Sequence, residues 1–188
     1  MSRRFFDLFD DMSVPYRWVL GEIMDEQGRE LDDSWQFTRG CAVRVDERLK
    51  VSIDVSGRAL DFSLTGLGTP IVHVRVASVF SELAPGDVQL IPVDVEGYPD
   101  QYLILVATKL IRCIDEKASQ VQFWRPEHGL PEKVGKYYSV DDMRIDKSKV
   151  GDARVFRTEG WRIALIVSED IKDALDRIGA TGTKLTEV

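Results

Sequence analysis

The sequence predicts an α+β fold of mostly antiparallel sheet, folded as one domain over residues 1–188. Apolar–polar alternation runs through Leu49–Val55 (LKVSIDV) and Val88–Val95 (VQLIPVDV), the period of half-buried strands. Turn chemistry at Gly97-Tyr98-Pro99-Asp100 joins the second stretch to the apolar run Tyr102–Ala107, the pattern of a hairpin. Helical spacing is confined to two stretches, one near 70–83 and one near 168–178. With 188 residues, 44% apolar and 30% charged, the chain suits an ordinary globular core, and this balance excludes disorder for its bulk.

Each element has its own local reason. Trp35-Gln36-Phe37 alternates as inward-facing strand residues do. Leu49, Val51, Ile53 and Val55 share one face; Ser56-Gly57 then turns the chain and Leu60–Ser63 resumes a strand. Pro70–Leu83 places Val72, Val76, Val79, Phe80 and Leu83 at helical spacing. Pro70 suits the first turn and Ala84-Pro85-Gly86 is the stop, although the many valines favour strand. Further strands are expected at 110–114, 119–124, 153–158 and 161–167, the last two pairing across Glu159-Gly160. Pro126–Gly135 reads as a long mobile loop, and Asp141–Lys149 as a short helix or a turn with a strand. The clearest helix is Ser168–Ile178. Ser168 is its N-cap, and Glu169 and Asp170 fill the first turn. Ile171, Ala174, Leu175 and Ile178 line one face, and Gly179 follows the end.

Charge narrows the function classes. There are 25 basic and 32 acidic residues, a net charge of −7. That opposes nucleic-acid binding, which needs a basic footprint, and docking on anionic lipid. The longest uncharged stretch is the thirteen residues Phe62–Val74, broken by Gly66, Gly68 and Pro70, so no membrane span is expected. The opening MSRRFFDLFDDM has aspartates where a secretory leader needs an apolar run. Cys41 and Cys113 show no metal-type spacing, so they read as free thiols of a cytoplasmic protein. The acidity is concentrated: residues 1–33 hold nine acids and four arginines, a net of −5. An acidic surface of this kind suits a basic partner, or simply serves as a solvated loop.

No chemistry stands out. His73 falls in the apolar 70–83 stretch and His128 in a Pro/Gly loop. Cys113, Asp115 and His128 are the one set that could meet as a nucleophile system, but Cys113 falls between Ile111 and Ile114 in a strand-like run, as an inert buried thiol does. No Cys/His pair has zinc spacing, Asp25–Asp33 misses the EF-hand register, and Gly66-Leu67-Gly68 lacks the rest of a phosphate loop. The expectation is therefore no catalytic residue, no metal and no cofactor. Trp18, Trp35, Trp124 and Trp161 serve as core residues or interface anchors, and Trp124-Arg125 is the pair best placed for a partner.

The order of short motifs goes further. FFDLFDDM (5–12) and Tyr16-Arg17-Trp18 come first, then WQFTRG (35–40), GRALDFS (57–63) and GTPIV (68–72). LAPGDVQLIPVDVEG (83–97), CIDEKAS (113–119), FR (156–157) and IVSEDIKDAL (166–175) follow. Together they resemble immunity protein family 11 of bacterial polymorphic toxin systems, formerly described as a domain of unknown function. The resemblance spans nearly the whole chain and is most specific in LAPGDVQLIPV and CIDEKAS.

It implies a cytosolic, non-catalytic protein that binds and neutralises a toxin encoded nearby. An acidic domain without an active site is also what an inhibitor of a basic enzyme, such as a nuclease, would look like. On that reading Asp25, Glu26, Glu30, Asp32 and Asp33 face the toxin, with Trp124 and Arg125 as anchors. A regulatory or scaffold module binding a host protein is the alternative.

Overall fold

The computed structural model describes residues 3–188. In chain order its regular elements are β1 (Phe5–Asp10), β2 (Val19–Met24), β3 (Leu49–Val55), β4 (Phe62–Leu64), β5 (Pro70–His73) and helix α1 (Val74–Leu83). Then come β6 (Val88–Val95), β7 (Tyr98–Ala107), β8 (Leu110–Ile111), β9 (Gln120–Phe123) and β10 (Tyr137–Asp141). The chain closes with β11 (Val155–Thr158), β12 (Trp161–Ser168), helix α2 (Glu169–Arg177) and β13 (Thr183–Glu187). The fold is α+β, as the sequence predicts.

Two large sheets carry it. One has the order β13-β1-β12-β11-β8, the other β2-β3-β6-β7-β5-β4, and β9 and β10 form a separate ribbon. All pairings are antiparallel except β3 with β6 and β8 with β11. Period-two alternation explains why both faces of each large sheet are buried. In β7, Leu105 and Ala107 point into a central core, while Tyr102, Ile104 and Val106 point to the opposite side. In β12, Leu165 and Val167 join the same central core, while Ala164 and Ile166 face a third cluster around Phe5, Met143 and Phe156. Both helices bury their apolar faces in that central core, α1 through Val76, Val79 and Phe80 and α2 through Ile171 and Leu175.

The six-stranded sheet curls, because side chains tie its two edges together. Trp18, just before edge strand β2, is buried, and its Nε1–H donates to Ser63 Oγ of the other edge strand, β4, at 2.8 Å. Glu22 of β2 accepts the N–H of Leu67, in the turn after β4, at 2.8 Å. These bonds also satisfy polar groups that burial would otherwise penalise.

Several local expectations need correction. Residues 70–73 are strand rather than the first turn of a helix: Ile71, Val72 and His73 pair with Ile104, Leu103 and Tyr102. The β-branched run wins there, and the helix starts only at Val74, with His73 as N-cap accepting the Arg75 N–H on Nδ1 at 3.3 Å. The hairpin turn is tighter than expected: Val95 pairs with Tyr98 across Glu96-Gly97, and Gly97 takes φ +78°. Trp35-Gln36-Phe37 is not strand. Residues 36–38 form a 3₁₀ turn that buries Phe37 and leaves Trp35 57% exposed. Residues 126–135, expected as a long mobile loop, hold two 3₁₀ turns. Ser168 stands at the N-cap of α2 but makes no capping bond. As the last residue of β12 it lies opposite Phe5, and the Glu169 N–H is met instead by the carbonyl of Arg4 at 3.0 Å.

Asp87 joins the two large sheets. It sits in the turn between α1 and β6, and its Oδ2 accepts the N–H groups of Arg154 and Val155 at the start of β11, at 2.6 and 3.2 Å. Its Oδ1 pairs with Lys109 Nζ at 2.6 Å, in the link from β7 to β8. Burial alone would raise the pKa of this carboxyl, but the Lys109 ammonium and the two N–H groups outweigh burial and hold it below the ordinary carboxylate value. Arg154 extends the junction: its Nη1 donates to the carbonyl of Leu83 at the end of α1 and pairs with Asp170 in the first turn of α2 at 2.9 Å.

Two predictions follow from this packing. A depressed carboxyl pKa stabilises the fold above the unfolded value, near 3.9, and that stabilisation disappears as pH falls through the lower folded value. Asp87→Asn should therefore cost about 2–3 kcal/mol at pH 7, with the deficit shrinking below about pH 4, as read by urea denaturation at both pH values. An equal deficit at both would show that charge is not the source. Gly182 has φ +86°, and a Cβ there would collide with the carbonyl oxygen of Phe62, where the chain after α2 crosses the start of β4. Gly182→Ala should lower stability by about 2–3 kcal/mol, and a melting temperature matching that of the parent would refute the close approach.

Candidate partner interface

The acidic segment begins where β2 ends. Asp25 is only 7% exposed, and its carboxylate is used inside its own turn. Oδ1 accepts the N–H of Gln27 and of Arg29, both at 2.9 Å, and Oδ2 accepts Arg29 Nε at 2.7 Å. The Arg29 N–H, then the Arg29 guanidinium and the Gln27 N–H, hold this carboxyl below the ordinary range against a burial penalty. Asp25 thus builds the turn instead of presenting charge. Glu26, Glu30 and Asp32 are exposed and, among the described residues, form no ion pair. Asp33 is half-buried, accepts the Trp35 N–H at 3.2 Å and pairs with Arg39 at 2.8 Å. The segment therefore presents three free carboxylates from a loop pinned at both ends.

Trp124 and Arg125 lie elsewhere, at the end of β9. Trp124 is half-buried beside Tyr138 and His128, with ring centroids 4.8 and 5.4 Å away and Lys133 Nζ 4.8 Å from its ring. Its N–H donates to the Lys136 carbonyl. The indole organises the 125–136 segment, while Arg125 remains exposed. These two residues belong to the β9–β10 ribbon, and the acids belong to the edge of the six-stranded sheet.

Sequence reasoning missed a third surface, an open groove of about 850 Å³. It lies among the end of β1, strand β2, the turn 64–68, the 3₁₀ turn near Trp35 and the start of β12. Phe9, Met12, Val19, Trp35 and Ile163 line it, all of them large apolar side chains left exposed. Arg157 lies at its floor, 1% exposed. Arg157 Nη1 donates to the carbonyls of Arg162 and Ile163 at 3.1 Å each, whereas Nε and Nη2 have no partner. Burial pulls this guanidinium down to about 10, against the nearby charge of Asp7, and it stays cationic at neutral pH. Asp7 is itself pushed up to about 6, chiefly by burial. The only hint in the sequence was the FR dipeptide at 156–157, which pairs a core phenylalanine with this buried cation.

The candidate nucleophile set does not assemble. His128 Nδ1 accepts the Arg125 N–H within its own turn at 3.0 Å, and its ring stacks on Tyr138. Cys113 is fully buried, and burial pushes its thiol up to about 11, which leaves it protonated and unreactive at neutral pH. Among the described residues no three His, Cys, Asp or Glu side chains form a metal-binding group. No helix among them is long and apolar enough to cross a membrane.

A sequence model described as the immunity protein family Imm11 matches residues 20–188 of the chain. No curated protein matches it.

The two free cysteines should behave differently. Cys41 is exposed and Cys113 buried, so thiol titration of the native protein at pH 8 should reach one equivalent quickly, and the second only in denaturant. Fast reaction of both thiols would contradict the burial of Cys113.

Proposed function

The chain belongs to the immunity protein family Imm11, and from that membership we propose that it binds a cognate toxin, encoded nearby, and neutralises it by stoichiometric contact. The family match over residues 20–188 carries this reading. The protein acts by occupying the toxin rather than by catalysis, and it acts in the cytoplasm, where the toxin would act. Its partner is basic, and a nuclease is the enzyme class whose phosphate-binding groove would best accept such an inhibitor. Support comes from the net charge of −7 and from the three unpaired carboxylates Glu26, Glu30 and Asp32.

Glu26, Glu30, Asp32 and Asp33 form the toxin-facing charge, on a turn that Asp25 holds rigid. Trp124 and Arg125 serve as anchors on the ribbon: the caged indole loses little freedom on binding, and Arg125 stays available for a partner acid.

The test is survival of cells that express the neighbouring gene alone or together with this chain, followed by capture of the toxin on tagged protein at low and high salt. Toxicity that co-expression relieves, with a one-to-one complex, supports the reading. A neighbour that is harmless when expressed alone, or a toxin that fails to bind, ends it. Reversing Glu26, Glu30 and Asp32 to lysine together should slow association about tenfold at low salt and flatten its salt dependence. Unchanged association kinetics would remove these acids from the interface.

A further inference from the structure

Histidine is the side chain whose charge ordinarily changes between about pH 5 and 8, so a neutral imidazole nitrogen used as an acceptor makes a pH-sensitive fastening. His128 makes such a fastening in the segment between β9 and β10. Two bonds close the 3₁₀ turn Pro126–His128. The His128 N–H donates to the Arg125 carbonyl at 3.0 Å, and Nδ1 accepts the Arg125 N–H at 3.0 Å. The second bond is that of a capping box, in which a side chain reaches back to the N-cap N–H. Glu or Gln ordinarily supplies it; here an imidazole does.

The same ring ties the turn to the ribbon. It stacks on Tyr138 of β10, with centroids 5.2 Å and planes 15° apart, and meets Trp124 of β9 edge-on at 5.4 Å. Trp124 and Tyr138 are themselves 4.8 Å apart, so the three rings form one cluster. The groups that face His128 are therefore the Tyr138 phenol, the Trp124 indole and, across that indole, the Lys133 ammonium of the second 3₁₀ turn. Arg125 and Glu127 flank it within its own turn. The other histidine differs. His73 Nδ1 also accepts a backbone N–H, that of Arg75, but Asp61 stands 4.0 Å away to receive the nitrogen once it carries a proton. Among the described residues His128 has no such carboxylate, because the one histidine ion pair is that of His73.

We propose that His128 is a pH-sensitive latch on the 125–136 segment, closed while the imidazole is neutral and opened by a proton. Protonation turns Nδ1 into a donor, so two N–H groups face each other where one hydrogen bond stood. Turning the ring does not restore the bond, because both nitrogens of an imidazolium are donors. The charged ring keeps its attraction for the Tyr138 face after such a rotation, so it stays on the ribbon while the turn opens. Lys133, already placed on the indole, adds repulsion of the same sign. Opening frees the backbone at Arg125, one of the two proposed anchors, and acid thereby weakens a toxin contact made through it. That consequence rests on the anchor reading; the latch itself is a property of this chain alone.

The test follows the Arg125 amide of the intact chain by nitrogen-15 NMR from about pH 8 to about pH 5.5, beside the imidazole C–H signals of His128. The amide resonance should move with the same midpoint as the imidazole. Its exchange with water, corrected for the intrinsic pH dependence, should rise about fivefold in acid, the effect of losing one net hydrogen bond. His128→Gln can cap but does not titrate, and should keep the amide protected throughout. His128→Phe can stack but cannot accept, and should leave it unprotected throughout. The position is exposed, so both variants should fold natively, as circular dichroism checks. An Arg125 amide that stays unmoved while His128 titrates overturns the latch, and so does an acid transition that survives intact in His128→Gln. Neither measurement involves the toxin, so a failed latch leaves the immunity reading standing, and a failed immunity reading leaves the latch standing.

Discussion

Asp87 holds three otherwise separate pieces of chain with one carboxylate: the turn after α1, the start of β11 and the link carrying Lys109. A carboxylate with an 8% exposed side chain is tolerable only if its lone pairs are filled. Filling them fixes where the five-stranded sheet meets the six-stranded one. Arg154 then carries the constraint outward, joining the end of α1 to the first turn of α2. The central core, to which both sheets and both helices contribute, has its relative positions set at this polar junction. Hydrophobic burial supplies most of the stabilisation, but it is non-directional; the hydrogen bonds of Asp87 decide which edges face each other.

The same segment was the most readable part of the sequence. LAPGDVQLIPV contains the helix stop, Asp87 itself and the strand β6, and local rules point to the same structure at each step. The strands at 49–55 and 88–95 and the helix near 168–178 were likewise legible, because their periods run for seven residues or more. What was not legible depends on partners distant in sequence. Val72 and His73 look helical by spacing, and only pairing with β7 makes them strand. Trp35 and Phe37 alternate for three residues, too few to separate a strand from a 3₁₀ turn. β1 has adjacent phenylalanines, and Phe5 and Phe6 fill two different cores on opposite faces of one strand, which no single-face pattern reports.

The candidate interface was legible to a different degree. Charge counting found the acidic loop, but it could not show that Asp25 is consumed by its own turn while Glu26, Glu30 and Asp32 stay free. Asx-type turns use aspartate as a backbone acceptor, so an aspartate at a strand end is as much turn chemistry as surface charge. Trp124 was singled out, with Arg125, as a partner anchor from its place beside a turn-rich loop. The sequence could not show that its ring packs on Tyr138 and His128, contacts made within a turn-rich segment. The groove was invisible because its walls come from β1, β2, the turn 64–68 and β12, and because the run WRIALIV reads as a strand without showing which face Ile163 takes.

Net charge therefore describes the encounter and not the contact. A protein of charge −7 attracts a basic partner from beyond contact range, and Glu26, Glu30 and Asp32 are exposed carboxylates without an ion pair among the described residues. At contact, long-range attraction discriminates poorly between one basic enzyme and another. Discrimination needs desolvated, shape-dependent contacts, which exposed charge on a loop does not supply. An inhibitor of one particular toxin therefore needs selective retention as well as fast capture.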